Sequence, residues 1–198
     1  MVIKVNSEAI RKAIQQKYSE ASICVEGLFN YPTGKAGVEG LNYDATFVQS
    51  APKELIDGFC GVGNPFSLGE IKAGETVLDI GCGAGFDLFC AGKLTGANGK
   101  VFGIDLTPAM IDKAKEILDL AGISNAEVHL ASSENIPFEN NKFDVVISNG
   151  VLNLSPDKEA SFAEIFRVLK SGGRLQIADI VLKEELPPEE MSAKAWSN

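Results

Sequence analysis

The stretch TVLDIGCGAGFDLFCAGKLTGANGKVFGID, residues 76–105, decides the fold. Its opening, TVLDIG (76–81), reads as a buried strand, and the glycines at 81, 83 and 85 turn the chain into a helix over 85–93. KVFGIDL (100–106) is a second buried strand. A strand, a glycine-rich turn, a helix and another strand make a parallel unit with a right-handed crossover.

The same alternation continues toward the C-terminus. Pro108 stands where a helix first turn needs no amide, opening a helix to about residue 120. AEVHLAS (126–132) and FDVVISNG (143–150) read as strands three and four, and RLQIADIVL (174–182) as strand five. Between the last two, residues 155–169 form a helix with Pro156 near its start and Gly172 and Gly173 ending it. The expected architecture is α/β: a Rossmann-like, doubly wound, mostly parallel sheet of order 3-2-1-4-5. A ligand then belongs outside the carboxyl ends of the strands, at the switch point. No antiparallel strands are legible after strand five, so the chain is either a fragment or a short variant.

Toward the N-terminus, residues 7–20 place Ile10, Ile14 and Tyr18 on one helical face behind Ser7 as a cap. Residues 27–69 carry eight glycines and three prolines, with a short helix-like break at 52–59, and read as a lid or substrate segment. The chain therefore divides into 1–69, an N-terminal helix and glycine-rich segment, and 70–198, the ligand-binding α/β domain. The acidic stretch KEELPPEEMSAK near the end reads as a short solvated helix after Pro187 and Pro188.

Composition narrows the function. With 198 residues, 45% hydrophobic and 23% charged, the chain suits one globular catalytic core. A net charge of −9 leaves no basic stripe for nucleic acid, so a small-molecule substrate is expected. There is no apolar run of membrane-spanning length and no secretory leader, so the expected location is cytoplasmic, without membrane association. The four cysteines, at 24, 60, 82 and 90, are scattered and form no zinc or disulfide pattern.

Two ligands compete for the turn D79-I-G-C-G-A-G85. A dinucleotide fold wants a third glycine where Phe86 stands. A methyl donor instead carries a sulfonium, an amino group and a carboxylate, which suits an acidic Asp79 beside the backbone of Gly81, Cys82 and Gly83. Asp105, at the end of strand two, can accept both hydroxyls of a ribose, or alternatively cap the helix at Thr107. Leu106 is then expected at the adenine face, with Ser132 and Ser133 near its edge. Asn149, after strand four, can face both donor and acceptor, or be a turn residue. His129, inside strand three, reads as structural, and so do Cys82 and Cys90 as packing side chains. No base–nucleophile pair can be assembled, which fits attack by a strong nucleophile on a sulfonium methyl, a step that needs alignment more than acid–base help.

GETVLDIGCGAGFD (74–87), GIDLTPAM (103–110), FDVVISNGVLNLSPDK (143–158) and RVLKSGGRLQIADIV (167–181) resemble the successive motifs of the arsenite methyltransferases. These belong to the class I S-adenosylmethionine-dependent methyltransferases, together with quinone C-methyltransferases. The likeness runs from about Cys60 to Leu182. It implies S-adenosylmethionine as cofactor, trivalent arsenic as acceptor on cysteine thiolates, and thioredoxin or glutathione as reductant. On that likeness Cys60, in GFCGVGNPFSLG (58–69), falls on an arsenic-binding and catalytic cysteine, with Asn149 beside the reacting groups. Gly150 stands where the group has another cysteine, and Cys24 is a candidate second thiol if the N-terminal segment folds over the pocket. Two alternatives follow: methylation of a carbon, oxygen or nitrogen of another small metabolite, or a donor-binding module silent without a partner or a C-terminal region.

Overall fold

The computed structural model describes residues 6–181 together with 183, 192 and 196. An N-terminal helix α1 (Ser7–Ile23) is followed by three short helices, α2 (Gly34–Gly40), α3 (Ala45–Ser50) and α4 (Lys53–Asp57). The chain then alternates: β1 (Thr76–Ile80), α5 (Phe86–Thr95), β2 (Lys100–Asp105), α6 (Pro108–Leu120), β3 (Ala126–Leu130), β4 (Phe143–Asn149), α7 (Lys158–Val168) and β5 (Leu169–Ala178). The strands form one sheet in the order β3-β2-β1-β4-β5, and every pairing among the described residues is parallel. This is the order read from the sequence.

The central strands are apolar on both faces because helices cover both. In β1, residues 77–80 are all buried, and in β2 residues 101–105 are. A Cβ at Gly103 of β2 would lie 2.6 Å from Leu88 Cδ1 and 2.9 Å from Cys82 Sγ, so only a bare backbone lets α5 sit this close to the sheet. The strand order reverses between β1 and β4. Asp79 near the end of β1, Asp105 closing β2 and Asn149 closing β4 thus converge on one edge of the sheet.

Several boundaries differ from the sequence reading. Asn6, not Ser7, caps α1, its side chain accepting from the Glu8 amide. Asp157 caps α7 through the Ala160 amide, so that helix starts at 158 rather than 155. Strand β5 begins at Leu169, five residues early. Its ladder with β4 steps from Phe143↔Leu169 to Val145↔Arg174, and Gly172, at φ +80°, absorbs the irregularity instead of ending the element. Residues 27–69 contain α2, α3 and α4 where only one short break at 52–59 is expected. The short helix expected after Pro187 and Pro188 lies outside the described residues.

The N-terminal elements share the main core. Val38, Tyr43, Leu55 and Phe59 belong to one buried cluster with Val77, Phe86, Leu88 and Val101. Helix α1 buries Ile10 and Ile14 against Leu154, and Ala21 near Met110. Its Gln15 Nε2 donates to the Leu106 carbonyl at 3.0 Å, and Lys113 Nζ reaches back to the Ser22 carbonyl at 2.6 Å. Among the described residues no helix is long and apolar enough to cross a membrane.

Candidate active site

At the reversal point lies a cleft of about 980 Å³, part of it open to solvent. The residues singled out from the sequence, Cys60, Asp79, Gly81, Cys82, Gly83, Asp105, Leu106, Ser132, Ser133 and Asn149, all border it. Helix α1 closes it from above with Arg11, Ile14 and Tyr18.

The floor is the glycine turn. The amides of Gly81 and Cys82 both donate to the Ile104 carbonyl, at 2.8 and 3.0 Å, which ties the turn to β2. Gly83 has φ +51°, and no atom lies within 4 Å of the place a Cβ would occupy. Its backbone therefore lies bare toward open space, as a surface that a ligand can approach closely. Asp105 braces the same turn: Oδ2 accepts from the Gly83 amide at 3.0 Å and Oδ1 from the Thr107 amide at 2.8 Å. Asp105 does not cap α6, whose N-cap is Thr107 with no side-chain cap bond; it ties the turn to the chain just before that helix and borders the cleft.

Three buried carboxylates converge here. Asp79 is 2% exposed, and its Oδ2 has no hydrogen-bond partner. Burial, with Asp87 and Asp105 nearby, pushes its carboxyl well above the usual range. Burial also raises Asp105, against the pull of the Thr107 and Gly83 amides. Asp87 is pushed up to about 6 by burial, opposed by hydrogen bonds from Tyr43 and Asn149. An unpartnered carboxylate oxygen in a desolvated site is costly unless a cation or donor meets it. The ammonium of S-adenosylmethionine is such a group, so the residues present fit the donor.

Cys60, Gly61 and Gly150 also line the cleft. Burial, then Asp105, pushes the Cys60 thiol up to about 12, while Lys113 and Lys17 pull it down. Gly150, at φ +74°, is the position where the resemblance expects cysteine, and a Cβ there would lie 3.2 Å from Val62 Cγ1. The structure does not bring a second thiol in from the N-terminus: Cys24 is exposed at the end of α1 and does not border the cleft. Cys90 is fully buried in α5. Among the described residues no group of three or more His, Cys, Asp or Glu is arranged to hold a metal ion. His129 lies in β3 against Phe102 and Phe138, away from the cleft.

Asn149 borders the cleft, but its amide is committed to the protein. Oδ1 accepts from the Val62 and Gly63 amides, and Nδ2 donates toward Gly63, Asp87 and Tyr43. From the wall of the cleft Asn149 thus holds the Val62–Gly63 backbone. Sequence reasoning missed Asp87, Tyr43, Arg11 and Glu134. Only Asp87 left a signal, as a charged residue in the otherwise apolar run FDLFCAG after the turn. Glu134 accepts from Ser155 Oγ at 2.7 Å and lies 3.7 Å from Arg11 of α1.

The chain is similar to known proteins in sequence and in fold. A family described as a methyltransferase domain matches residues 71–198. The arsenite methyltransferase of Halobacterium salinarum is 41% identical over 157 residues, 79% of this chain and 40% of that protein. The ubiquinone/menaquinone biosynthesis C-methyltransferase of Klebsiella pneumoniae is 37% identical over 128 residues, 64% of this chain and 49% of that protein. The crystal structure of an arsenic(III) S-adenosylmethionine methyltransferase from Chlamydomonas reinhardtii superposes with a TM-score of 0.61 at 32% identity, covering 81% of this chain and 53% of that one. The chain thus spans two fifths to about half the length of these relatives. It belongs to the methyltransferase domain family, as an arsenite methyltransferase-like member of the class I S-adenosylmethionine-dependent methyltransferases.

Proposed function

We propose that the chain binds S-adenosylmethionine between the glycine turn and Asp105 and directs its methyl group to a small molecule at the Cys60–Gly150 end. The observation that carries this reading is the buried, unpartnered Asp79 Oδ2 in the same cleft as the bare backbone of Gly83. In this reading Asp79 accepts from the donor's ammonium, a charge-assisted bond in a desolvated site. Asp105 Oδ2 accepts from the Gly83 amide and Oδ1 from the Thr107 amide, and a carboxylate oxygen has a second lone pair with which to accept from a ribose hydroxyl. Leu106, Ser132 and Ser133 border the adenine end. Bound, the donor supplies an electrophilic methyl group on sulfonium sulfur. The protein's part is alignment and exclusion of water, with α1 above and Phe59 and Phe86 along the wall.

For the acceptor, the likeness to arsenite methyltransferases supports trivalent arsenic on Cys60, with thioredoxin or glutathione as reductant and the cytoplasm as the place of action. A thiol with its pKa near 12 gives up its proton on binding a soft metalloid, as thiolate ligands do. A second reading, a small organic acceptor, is favoured by Gly150, which faces Val62 rather than a thiol. The C-methyltransferase relative supports that class. The donor-binding module without turnover is the third outcome.

Calorimetric titration with S-adenosylmethionine, repeated on Asp79→Asn, tests the donor half. The variant is expected to bind roughly 10- to 100-fold more weakly, as loss of a charged hydrogen bond implies. Mass spectrometry with arsenite and a thiol tests the other half. Methylated arsenic supports the first acceptor reading, and donor binding without it supports the organic acceptor or the silent module. Failure of the wild-type chain to bind the donor would end the proposal.

A further inference from the structure

We infer that Tyr43, Asp87 and Asn149 act together as positioning residues, clamping the acceptor-side loop, residues 60–63, to the donor strand. The inference rests on the reading that the acceptor sits at this loop. Asn149 closes β4, next to β1 and Asp79. Its Oδ1 accepts from the Val62 amide at 2.8 Å and the Gly63 amide at 3.0 Å. Its Nδ2 lies 2.9 Å from the Gly63 carbonyl, 3.0 Å from Asp87 Oδ2 and 3.0 Å from the Tyr43 hydroxyl. Tyr43 in turn donates to Asp87 Oδ1 at 2.7 Å. Three backbone groups of the loop are thereby held by one side-chain amide, whose own orientation is set by a buried tyrosine–aspartate pair.

The contact is close enough to dictate sequence. A Cβ at Gly61 would lie 2.3 Å from Asn149 Nδ2 and 2.7 Å from Phe59 Cζ, so the loop can pass here only as glycine. Tyr43 and Asp87 are each 7% exposed, and a satisfied polar network in such surroundings is rigid and costly to open. Its three members come from separate parts of the chain. Asp87 sits in the first turn of α5, directly after the glycine turn, and Tyr43 lies between α2 and α3. The network thus fixes the distance from donor floor to acceptor loop, the quantity on which in-line methyl transfer depends. None of the three needs to touch the reacting atoms.

Cys60 is a built-in reporter of that loop, and exposed Cys24 is an internal reference. The test is alkylation by iodoacetamide, followed residue by residue by mass spectrometry, in wild type and Tyr43→Phe. That variant keeps the ring against Phe59, Phe66 and Phe86 and removes only the hydroxyl. Cys60 is expected to react at least about tenfold faster relative to Cys24, while buried Cys82 and Cys90 stay slow and affinity for S-adenosylhomocysteine holds within about twofold. Asp87→Asn, read for the ratio of Cys60 to Cys24 alkylation alone, serves if Tyr43→Phe does not fold. An unchanged Cys60 rate, or all four cysteines accelerating together, would overturn the clamp. Wild type that fails to bind S-adenosylhomocysteine would instead refute the donor reading, and the alkylation comparison would still decide whether the clamp exists.

Discussion

Asp79, Asp87 and Asp105 set the chemistry at the scale of the residue, and they make a prediction about pH. Each has a folded-state pKa raised first of all by burial. An acid raised on folding binds more protons folded than unfolded, so its contribution to stability is present at low pH and lost as pH rises through the folded value. For Asp87 that value is about 6. The unliganded chain is therefore expected to melt at a higher temperature near about pH 5.5 than near about pH 7.5. Glu75, Asp144 and Glu164 work the other way, because Arg174, Lys170 and Arg167 hold them below the ordinary range. Their contribution falls away only in more acidic solution, as pH drops through their folded values. A cation beside Asp79 offsets the carboxylate repulsion, so S-adenosylmethionine should raise the melting temperature more at the higher pH. Fluorescence melts across this range, with Asp87→Asn as the control that flattens the slope, would decide. A melting temperature that falls on acidification toward pH 5.5 would contradict the electrostatic account.

At the scale of the element, α1 covers the cleft. It is latched over the cleft by Arg11 to Glu134 and by Gln15 to the Leu106 carbonyl, while Lys113 and Ala21 anchor its other end. The first is a partly exposed ion pair worth about 0–1 kcal/mol, the second a hydrogen bond worth about 1 kcal/mol. Replacing Arg11 and Gln15 together by alanine should speed donor dissociation by roughly tenfold in stopped-flow measurements, leaving the helix content unchanged. Equal dissociation rates would mean that the donor leaves by another route. The elements that carry the proposed donor residues were legible in the sequence because each is marked locally: a buried apolar run before the glycines, Asp105 before Thr107 and Pro108. Helices α2 and α3 were not, since six or seven residues are too few to display a helical period, whereas α4 falls within the short helix-like break read at 52–59. Glycines at 34, 37 and 40 also read as loop, although Gly37 is there for space: a Cβ would meet the Pro32 carbonyl at 2.7 Å. Tyr43 and Asp87 escaped for a different reason. Their partners lie 44 and 62 residues away along the chain, and no local pattern announces such a contact.

The whole molecule raises the question of whether residues 1–69 are a separate appendage, as their composition suggests, or part of one cooperative unit. Leu55 of α4 is fully buried, in the same cluster as Val77 of β1 and Leu88 of α5. Truncating such a side chain costs about 2–5 kcal/mol, the transfer term plus the cavity left behind. If the N-terminal helices and the sheet share one core, Leu55→Ala should lower a single calorimetric transition by roughly 5–15 °C without splitting it. S-adenosylmethionine should then raise that same transition, because the donor binds only when the sheet and the covering helices are folded together. Two transitions, of which only the first responds to Leu55→Ala and only the second to the donor, would establish an independent N-terminal unit. The clamp argues for the cooperative outcome on its own. Asn149 of β4 is bound to the loop that follows α4 and to Tyr43 ahead of α3, so the sheet cannot reach its full set of hydrogen bonds until the N-terminal segment is in place.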